Sequence, residues 1–535
     1  MTTPQPAPPP APPPKPLPWA LTYAAAGILL SMTQGLGMNL VAVNTPQIQG
    51  ALGATLVETN WLIAAYMAPN VSLTILLTKI RTQFGLRHFA EISIAIFVVA
   101  ALLHLVTFDL ATSLPVRFLA GAAAAPISTL GFLYILEAMP AARRMTWGLS
   151  LTLTCSTAAP IVARLISPLL LDLGQWQHLY SMEIGLALMA FAVVYLLPLT
   201  PIPHANVLHW RDFVTYPLIA IGFGLLAVVL TLGRYYWWFD APWIGICLAV
   251  AAVAIGCAAA IEINRGTPLI DIRWLTSPEI LQFAGTLLIF RLVLTEQSSG
   301  ALGLFQTLGL LNEHSRALYV AILLASCAGG LACAVTLRPD RVPALHAVAL
   351  ACIASGAWMD GHATNLTRPE NVYLSQALVA FGGALFLPPA MMAGLMKTMQ
   401  RSQTLITSFI AVFLFTQSLG GLMGSAAFGS FVTLREKFHS NRLVEHIVMT
   451  DPVVTDQVRR LAAAYGRVVG DPRLLDAEGL ALLAQRVARE ANVLAYNDAF
   501  LAIAAIAAGA LAMLCLHVAV RSLRARLAPP AAAHA

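Results

Sequence analysis

Apolar residues in this chain come in long unbroken blocks, separated by short polar stretches that hold most of the charge. The blocks cover residues 19–43, 57–78, 88–107, 112–136, 146–171, 176–199, 212–233, 241–262, 279–298, 316–337, 342–360, 372–396, 404–431 and 497–520. A helix that crosses a bilayer needs about 20 mainly apolar residues, so the pattern predicts fourteen spans. Pro69, Pro126, Pro160, Pro388 and Pro389 fall inside blocks. In lipid, neighbouring helices satisfy the backbone groups that a proline frees, so these do not count against helix. Residues 1–18 form a proline- and alanine-rich run with one Lys15, which reads as an extended tail. The first block is too long for a signal peptide and lacks a convincing cleavage site.

Composition narrows the class. Of 535 residues 58% are hydrophobic and 10% charged, against about a quarter charged in ordinary soluble domains. So few charges cannot cover a water-facing surface, and the bilayer is the solvent for most of the chain. The net charge is +6, but the basic residues stand singly or in pairs between apolar blocks, which argues against nucleic-acid binding. The seven cysteines all sit in apolar blocks without a C-x-x-C pair and read as packing residues. No P-loop, nucleophile elbow or HExxH is present. His104, His346 and His517 are isolated, so neither an enzyme nor a metal or cofactor site is expected.

Charge also orients the chain. With the N-terminus inside, the cytoplasmic face collects Lys15, Lys79, Arg81, Arg87, Arg143, Arg144, Arg211, Arg265, Arg273, Arg338, Arg341, Lys397, Arg401, Arg521, Arg524 and Arg526, while the short outer loops hold only Arg234, Arg316 and Arg368. The positive-inside rule then places both termini in the cytoplasm. Residues 432–496 form one long outer loop with nine basic residues, and long loops translocate largely regardless of charge. Helical periodicity in LREKFHSNRLVEHIV, TDQVRRLAAAYGRVV and DAEGLALLAQRVAREANVLAY predicts a helical element there, with Asp476 capping the third helix.

Several segments resemble one family. The fifth block carries Ala159, Pro160, Ala163 and Arg164 where that family has G-P-x-x-G-G; Trp176, Gln177, His178, Tyr180 and Glu183 follow where it has W-R-W-x-F-x-x-N. VRFLAGAAAAP is similar to its R-x-x-Q-G motif, with Arg117 and Gly121 kept and Ala120 in place of glutamine. LLTKIRTQFGLRH is similar to its loop motif D-R-x-G-R-K, with Gly85 and Arg87 kept and Thr82 and Gln83 changed. SQALVAFGGALFLPP, FTQSLGGLMGSAAFG and the stretch from REKFHSNRL to YNDAF add to the likeness. On these residues the chain resembles the major facilitator superfamily, specifically the fourteen-span drug:proton antiporters of the EmrB/QacA type. The resemblance implies an all-α polytopic membrane protein with two six-helix bundles (19–199 and 279–521), two additional, peripheral spans (212–262) and a cytoplasmic tail (522–535). It also implies a gating role for Pro160, Gly85 and Arg87, and proton relay at Arg117. One departure stands out: where the family has L-D-x-T in span one, with the aspartate implicated in proton coupling, this chain has GLGMN, so Gly37 replaces the carboxylate and Asn39 and Asn44 supply the polarity.

Charge at membrane depth is costly and marks function or a structural pair. Arg291 lies roughly 18 Å into span nine at 1.5 Å per residue. Glu296 is about 140° further round the helix, too far round to pair with it. A carboxyl at such depth can take up and release a proton, and Glu296, Arg117 and Glu183 are the coupling candidates. Arg291, Arg164, Asn39 and Gln376 are candidates for the substrate path. For each the alternative is a structural pair or an interfacial group, and for Arg164 and Glu183 a mutual salt bridge is the preferred reading. Glu91, Glu137 and Glu262, close to span ends, need only hydration. The aromatic cluster from Tyr235 to Trp243 reads as an interface belt.

The expected function is therefore secondary active export of amphiphilic toxic compounds by proton antiport in a bacterial inner membrane. Two alternatives stay open: a facilitator or narrow exporter of an organic anion, and a non-transporting sensor or scaffold. The expected partners are a small-molecule substrate, protons and lipid. The resemblance further implies a periplasmic adaptor leading to an outer-membrane channel, with the 432–496 loop as its docking element.

Overall fold

The computed structural model describes residues 15–107, 109–171, 176–200, 206–266, 268–269, 271–401 and 405–527. Residues 1–14 of the tail, 528–535 at the other end and residue 404, the expected start of span thirteen, lie outside these. Among the described residues fourteen helices are long and apolar enough to cross a membrane. Spans one to six are Leu17–Val43, Leu56–Leu77, Leu86–Val106, Leu110–Ala138, Ala141–Leu171 and His178–Leu196. Spans seven and eight are Asp212–Leu232 and Pro242–Glu262. Spans nine to fourteen are Pro278–Thr307, Asn312–Thr336, Pro339–Asp360, Pro369–Arg401, Ser408–Glu445 and Pro472–Arg524. All fourteen apolar blocks are thus helices, because only a helix satisfies its own backbone in lipid.

Helix starts at one end of the molecule are set by short polar caps. Thr55 and Glu58 form a reciprocal capping box on span two, with Thr55 N donating to Glu58 Oε2 at 2.8 Å and Glu58 N to Thr55 Oγ1 at 3.2 Å. Asp109 accepts from Thr112 N at 3.0 Å to start span four. At the same end, the helix of span thirteen runs unbroken from Ile406 to Glu445, 40 residues or roughly 60 Å. The last helix, Pro472–Leu527, has 56 residues and reaches roughly 84 Å. A bilayer core is only about 30 Å thick, so both helices continue past it as a stalk. A short helix, Pro452–Ala463, packs back on the stalk through Val458, Ala462 and Val487. Two expectations change here. The first and third periodic stretches of 432–496 are extensions of spans thirteen and fourteen rather than separate helices. Asp476 lies inside the last helix, and Asp471 caps it instead, accepting from Arg473 N at 2.9 Å. The cause is the absence of proline between Arg473 and Leu527, which leaves nothing to end the helix.

Spans one to six and nine to fourteen form the two bundles. They meet at the stalk end, where Ile161 of span five packs with Phe305, Leu318, Tyr319 and Ile322. They meet again toward the other end, where Phe132, Leu149 and Leu153 enter the core around Phe290, Phe386 and Met391. Span seven is less peripheral than its sequence position implies, whereas span eight packs mainly on span seven. Span seven packs along span two and touches span thirteen through Phe223 and Phe415, ring centroids 4.4 Å apart. Its far end is bolted down by charge: Lys79 Nζ and Arg265 Nη1 each lie 2.9 Å from Asp212 Oδ1, and Arg265 also lies 2.5 Å from Glu262 Oε1. Glu262 is therefore a buried network member, not a hydrated end group. At the stalk end the tryptophan-rich turn grips span thirteen, with Trp238 Nε1 donating to Ser430 Oγ at 2.8 Å and Lys437 over the Trp237 ring at 4.3 Å. This cluster clamps the turn to span thirteen.

Candidate functional site

The bundle of spans one to six buries one charged centre. Arg117 on span four is fully buried, with both terminal nitrogens donating to the Gly37 carbonyl at 3.2 Å. Its guanidinium stands 4.4 Å above the Tyr66 ring, and Glu183 Oε2 of span six lies 3.8 Å away. Gly37 makes the arrangement possible. A Cβ at that position would come 2.9 Å from Glu183 Oε1, closer than real Cβ contacts. A side chain on span one and the carboxylate on span six compete for one volume. The carboxyl missing from span one is thus present in the same place, supplied by span six. Glu183 Oε1 and Arg117 Nε have no hydrogen-bond partner among the described residues, which leaves the centre one proton-accepting and one donating position.

Arg164 and Glu183 do not pair. Arg164 turns toward the other bundle, where Nη2 donates to the Ser298 carbonyl at 3.2 Å and the Tyr319 ring lies 6.0 Å off. Glu183 faces span one and Arg117 instead. The reason is register: the two residues lie at one end of neighbouring helices but on faces that diverge. Pro160, one turn before Arg164, sits inside span five next to Ala159, which Gly35 of span one backs onto. Asn39 folds its amide onto its own helix at Gly35 O, 2.7 Å. Gly85, at φ 80°, is the single residue between the helices of spans two and three. Arg87 makes an exposed pair with Glu91 at 2.9 Å. Within this loop motif Lys79 and Gln83 engage another element: Lys79 binds Asp212, and Gln83 Oε1 accepts from Val207 N at 2.9 Å and Leu208 N at 3.2 Å.

The other bundle holds a second centre that the sequence exposed only in part. Span nine is interrupted by a π-helical turn at Glu296–Gly300, a local irregularity frequent at functional sites. Glu296 is fully buried, and Gln376 Nε2 donates to its Oε1 at 2.7 Å. The same nitrogen donates to Asp360 Oδ2 at 2.7 Å, and the Ser375 hydroxyl donates to Asp360 Oδ1 at 2.5 Å. Gln376 is therefore a bridge between two acids rather than a group open to a passing solute. Asp360 ends span eleven, ahead of Gly361, and its sequence position looks like an ordinary span boundary. Arg291 stands apart from both acids. It has no hydrogen-bond or ion-pair partner among the described residues, its Nε is buried, and its guanidinium lies along span thirteen where a Cβ at Gly421 would meet Nη2 at 2.6 Å.

Two helical bundles, each with ionisable groups buried inside it, thus pack against each other at both ends of a chain with fourteen membrane-spanning helices. A family model for the Major Facilitator Superfamily matches residues 27–425, and the chain belongs to that superfamily. It is similar to the multidrug export protein EmrB of Escherichia coli (strain K12), 26% identical over 250 residues, which is 46% of this chain and 47% of the relative. It is also similar to the fatty acid resistance protein FarB of Neisseria gonorrhoeae, 23% identical over 273 residues, 48% of this chain and 53% of the relative. The chain thus spans about half the length of the curated relatives it matches. Among solved structures, the human organic anion transporter MFSD10 superposes with a TM-score of 0.55 at 11% identity, covering 92% of this chain and all of the other. The proton:xylose symporter XylE gives 0.54 at 12% identity, covering 91% and 94%. These two likenesses concern the fold.

Proposed function

We propose that the protein is a secondary active exporter of amphiphilic toxic compounds, driven by proton antiport through alternating access. The observation that carries the reading is Glu183 beside Arg117 in the position that Gly37 vacates. A buried carboxyl with one unpartnered oxygen, held next to a guanidinium, can bind a proton and release it as the bundles rock. Glu296 is the matching group in the other bundle. Arg164, which ties span five to the carbonyl of Ser298, is positioned to sense that rocking, and Pro160 lies one turn away on the same helix. Gly85 and Arg87 lie at the other end, where the Lys79–Asp212 bond fixes span two to span seven. The similarity to EmrB and FarB supports export, with the stalk on the periplasmic side of a bacterial inner membrane and both termini in the cytoplasm.

Reconstitution tests the reading. Flux of a fluorescent amphiphile from proteoliposomes should rise severalfold when a pH gradient is imposed against it, and fall to the protein-free level with Glu183→Gln. Equal flux with and without the gradient would leave a facilitator. No flux in either setting would leave a sensor or scaffold.

A second reading concerns the substrate. Arg291 is a cation at depth without a counter-ion among the described residues, and an anionic amphiphile would supply one. Anionic and cationic amphiphiles of equal chain length, run in the same assay, separate the two cases. The stalk is the natural dock for a periplasmic adaptor, since Val444, Val448 and Val453 are exposed on it. Removing residues 446–471 should abolish resistance in cells yet leave flux in proteoliposomes intact. Loss of both would place the stalk in folding or gating instead.

A further inference from the structure

Most buried acids in this protein have a cation beside them: Glu183 has Arg117, and Asp212 and Glu262 share Lys79 and Arg265. Glu296 and Asp360 have none. Among the described residues no lysine, arginine or histidine lies within ion-pair distance of either. Both hydrogens of the Gln376 amide are spent, one on each acid. Among the described residues two acceptors remain without a donor, Glu296 Oε2 and Gln376 Oε1, on side chains that are completely buried.

The charged groups on the surrounding helices are engaged elsewhere. Arg291 of span nine lies along Gly421, and Arg164 of span five is held at the Ser298 carbonyl. On span fourteen Asp498 is bound by Arg435 and His439, both at 2.6 Å, and Glu490 is taken by Asn365. Arg368, ahead of span twelve, donates to the carbonyls of Asn365 and Thr367, while His362 bonds to Trp358 O at 2.9 Å. Tyr496 packs against Gly303, and Tyr319 of span ten donates to Asn312 at 3.1 Å.

Two ionised carboxylates on one amide repel strongly in a low-dielectric site, so the doubly ionised state is costly. One proton removes both difficulties. It neutralises one acid, and its O–H becomes the donor that the unpartnered oxygens lack. We propose that Glu296 and Asp360, in direct side-chain contact and both bound by the Gln376 amide, form a single two-carboxyl site for one exchangeable proton, separate from the Arg117–Glu183 centre. Uptake takes the pair from two negative charges to one, and release restores them. Titration belongs to the pair rather than to either residue. We take as its route for water a cavity of about 210 Å³ beside the π-turn, lined by Ser299, three residues after Glu296, together with Arg234, Thr433, Glu436, Asn492 and Tyr496. Polar walls and that volume suit water. The inference rests on the reading of the protein as a proton-driven transporter only for its role, not for the site itself.

Infrared difference spectroscopy of the purified full-length protein, titrated through neutral pH, reads the site directly. The parent should show the carbonyl stretch of a buried protonated carboxyl that disappears as the pair loses its proton. Glu296→Gln and Asp360→Asn should each remove or displace that band, since the proton is shared. Thr433→Trp, which fills the cavity, should slow its exchange into deuterated water severalfold. A variant that fails to fold is replaced by Glu296→Asp or Asp360→Glu, which keep both acids and should shift the band. A band that survives Asp360→Asn unchanged would assign the proton to Glu296 alone and overturn the proposal. So would a band that is absent until sodium is removed, because a metal cation would then occupy the site. Flux assays on the same variants keep the two ideas apart: the expected band without proton-driven flux defeats the transport reading alone, whereas proton-driven flux with an unaltered band in Asp360→Asn defeats the site alone.

Discussion

Adding one methyl group to span one should act on a carboxylate five spans away in sequence. In Gly37→Ala the new Cβ would stand 2.9 Å from Glu183 Oε1 and 3.3 Å from its Cδ. The neighbour is a carboxylate held between Arg117 and the span one backbone, so it cannot simply swing away without loosening the ion pair. Overpacking of this kind costs about 1–3 kcal/mol. Glu183→Asn removes both the clash and the charge, leaving Arg117 with the Gly37 carbonyl and the Tyr66 ring but no counter-charge, and breaking a buried pair by removing one partner costs about 3–5 kcal/mol. If the two residues acted separately, the double variant would lose the sum, about 4–8 kcal/mol. Because the shorter asparagine empties the contested volume, the double should lose no more than Glu183→Asn alone, a coupling of about 1–3 kcal/mol. Equilibrium unfolding with SDS in mixed micelles measures all three variants on one scale. Additive losses, or a Gly37→Ala variant as stable as the parent, would refute the competition between spans one and six.

The remaining expectations follow from the same contacts. Gly37→Asp alone should abolish coupled flux, whereas Gly37→Asp with Glu183→Asn returns the carboxyl to span one and should recover a measurable part of it. Arg164→Ala and Glu183→Gln should give additive effects on stability, since the two residues do not touch; a coupling above about 0.5 kcal/mol in the double-mutant cycle would contradict this. Asp212→Asn leaves Lys79 and Arg265 short of a counter-charge and should destabilise by about 3–5 kcal/mol, read in the same mixed micelles. Arg291→Ala should leave stability unchanged or raised, because no partner is lost, while weakening flux of an anionic amphiphile more than that of a cationic one.

The membrane architecture was legible because it is a one-dimensional property: twenty apolar residues in a row have one stable solution in lipid. Length was harder. The stretches after Phe431 and before Asn497 read as separate helices of an outer loop because they are polar, yet polarity marks only the point where a helix leaves the bilayer. The missing prolines of 473–527 carried the signal that the helix does not stop. Depth was legible for Arg117, Glu183 and Glu296, but direction was not. Arg164 and Glu183 were expected to meet because they share an end of neighbouring helices, and their side chains diverge. Asp360 escaped notice because a carboxylate at a span end is normally hydrated. Only the arrival of Gln376 and Glu296 from two other helices shows that this one is enclosed. Lys79 and Glu262 looked like end groups for the same reason, and Asp212 of span seven joins them in a single buried network.

The central claim, exchange of an amphiphile for protons, is tested most directly by running the cycle backwards. Proteoliposomes are loaded with a transported amphiphile and diluted into substrate-free buffer with no pH difference imposed, while a pH dye reports on the lumen. Efflux of substrate should draw protons inward, acidifying the lumen in the parent and leaving it unchanged in Glu183→Gln. Efflux from the parent at a constant lumenal pH would contradict antiport outright, and acidification that persists in Glu183→Gln would contradict the place assigned to it.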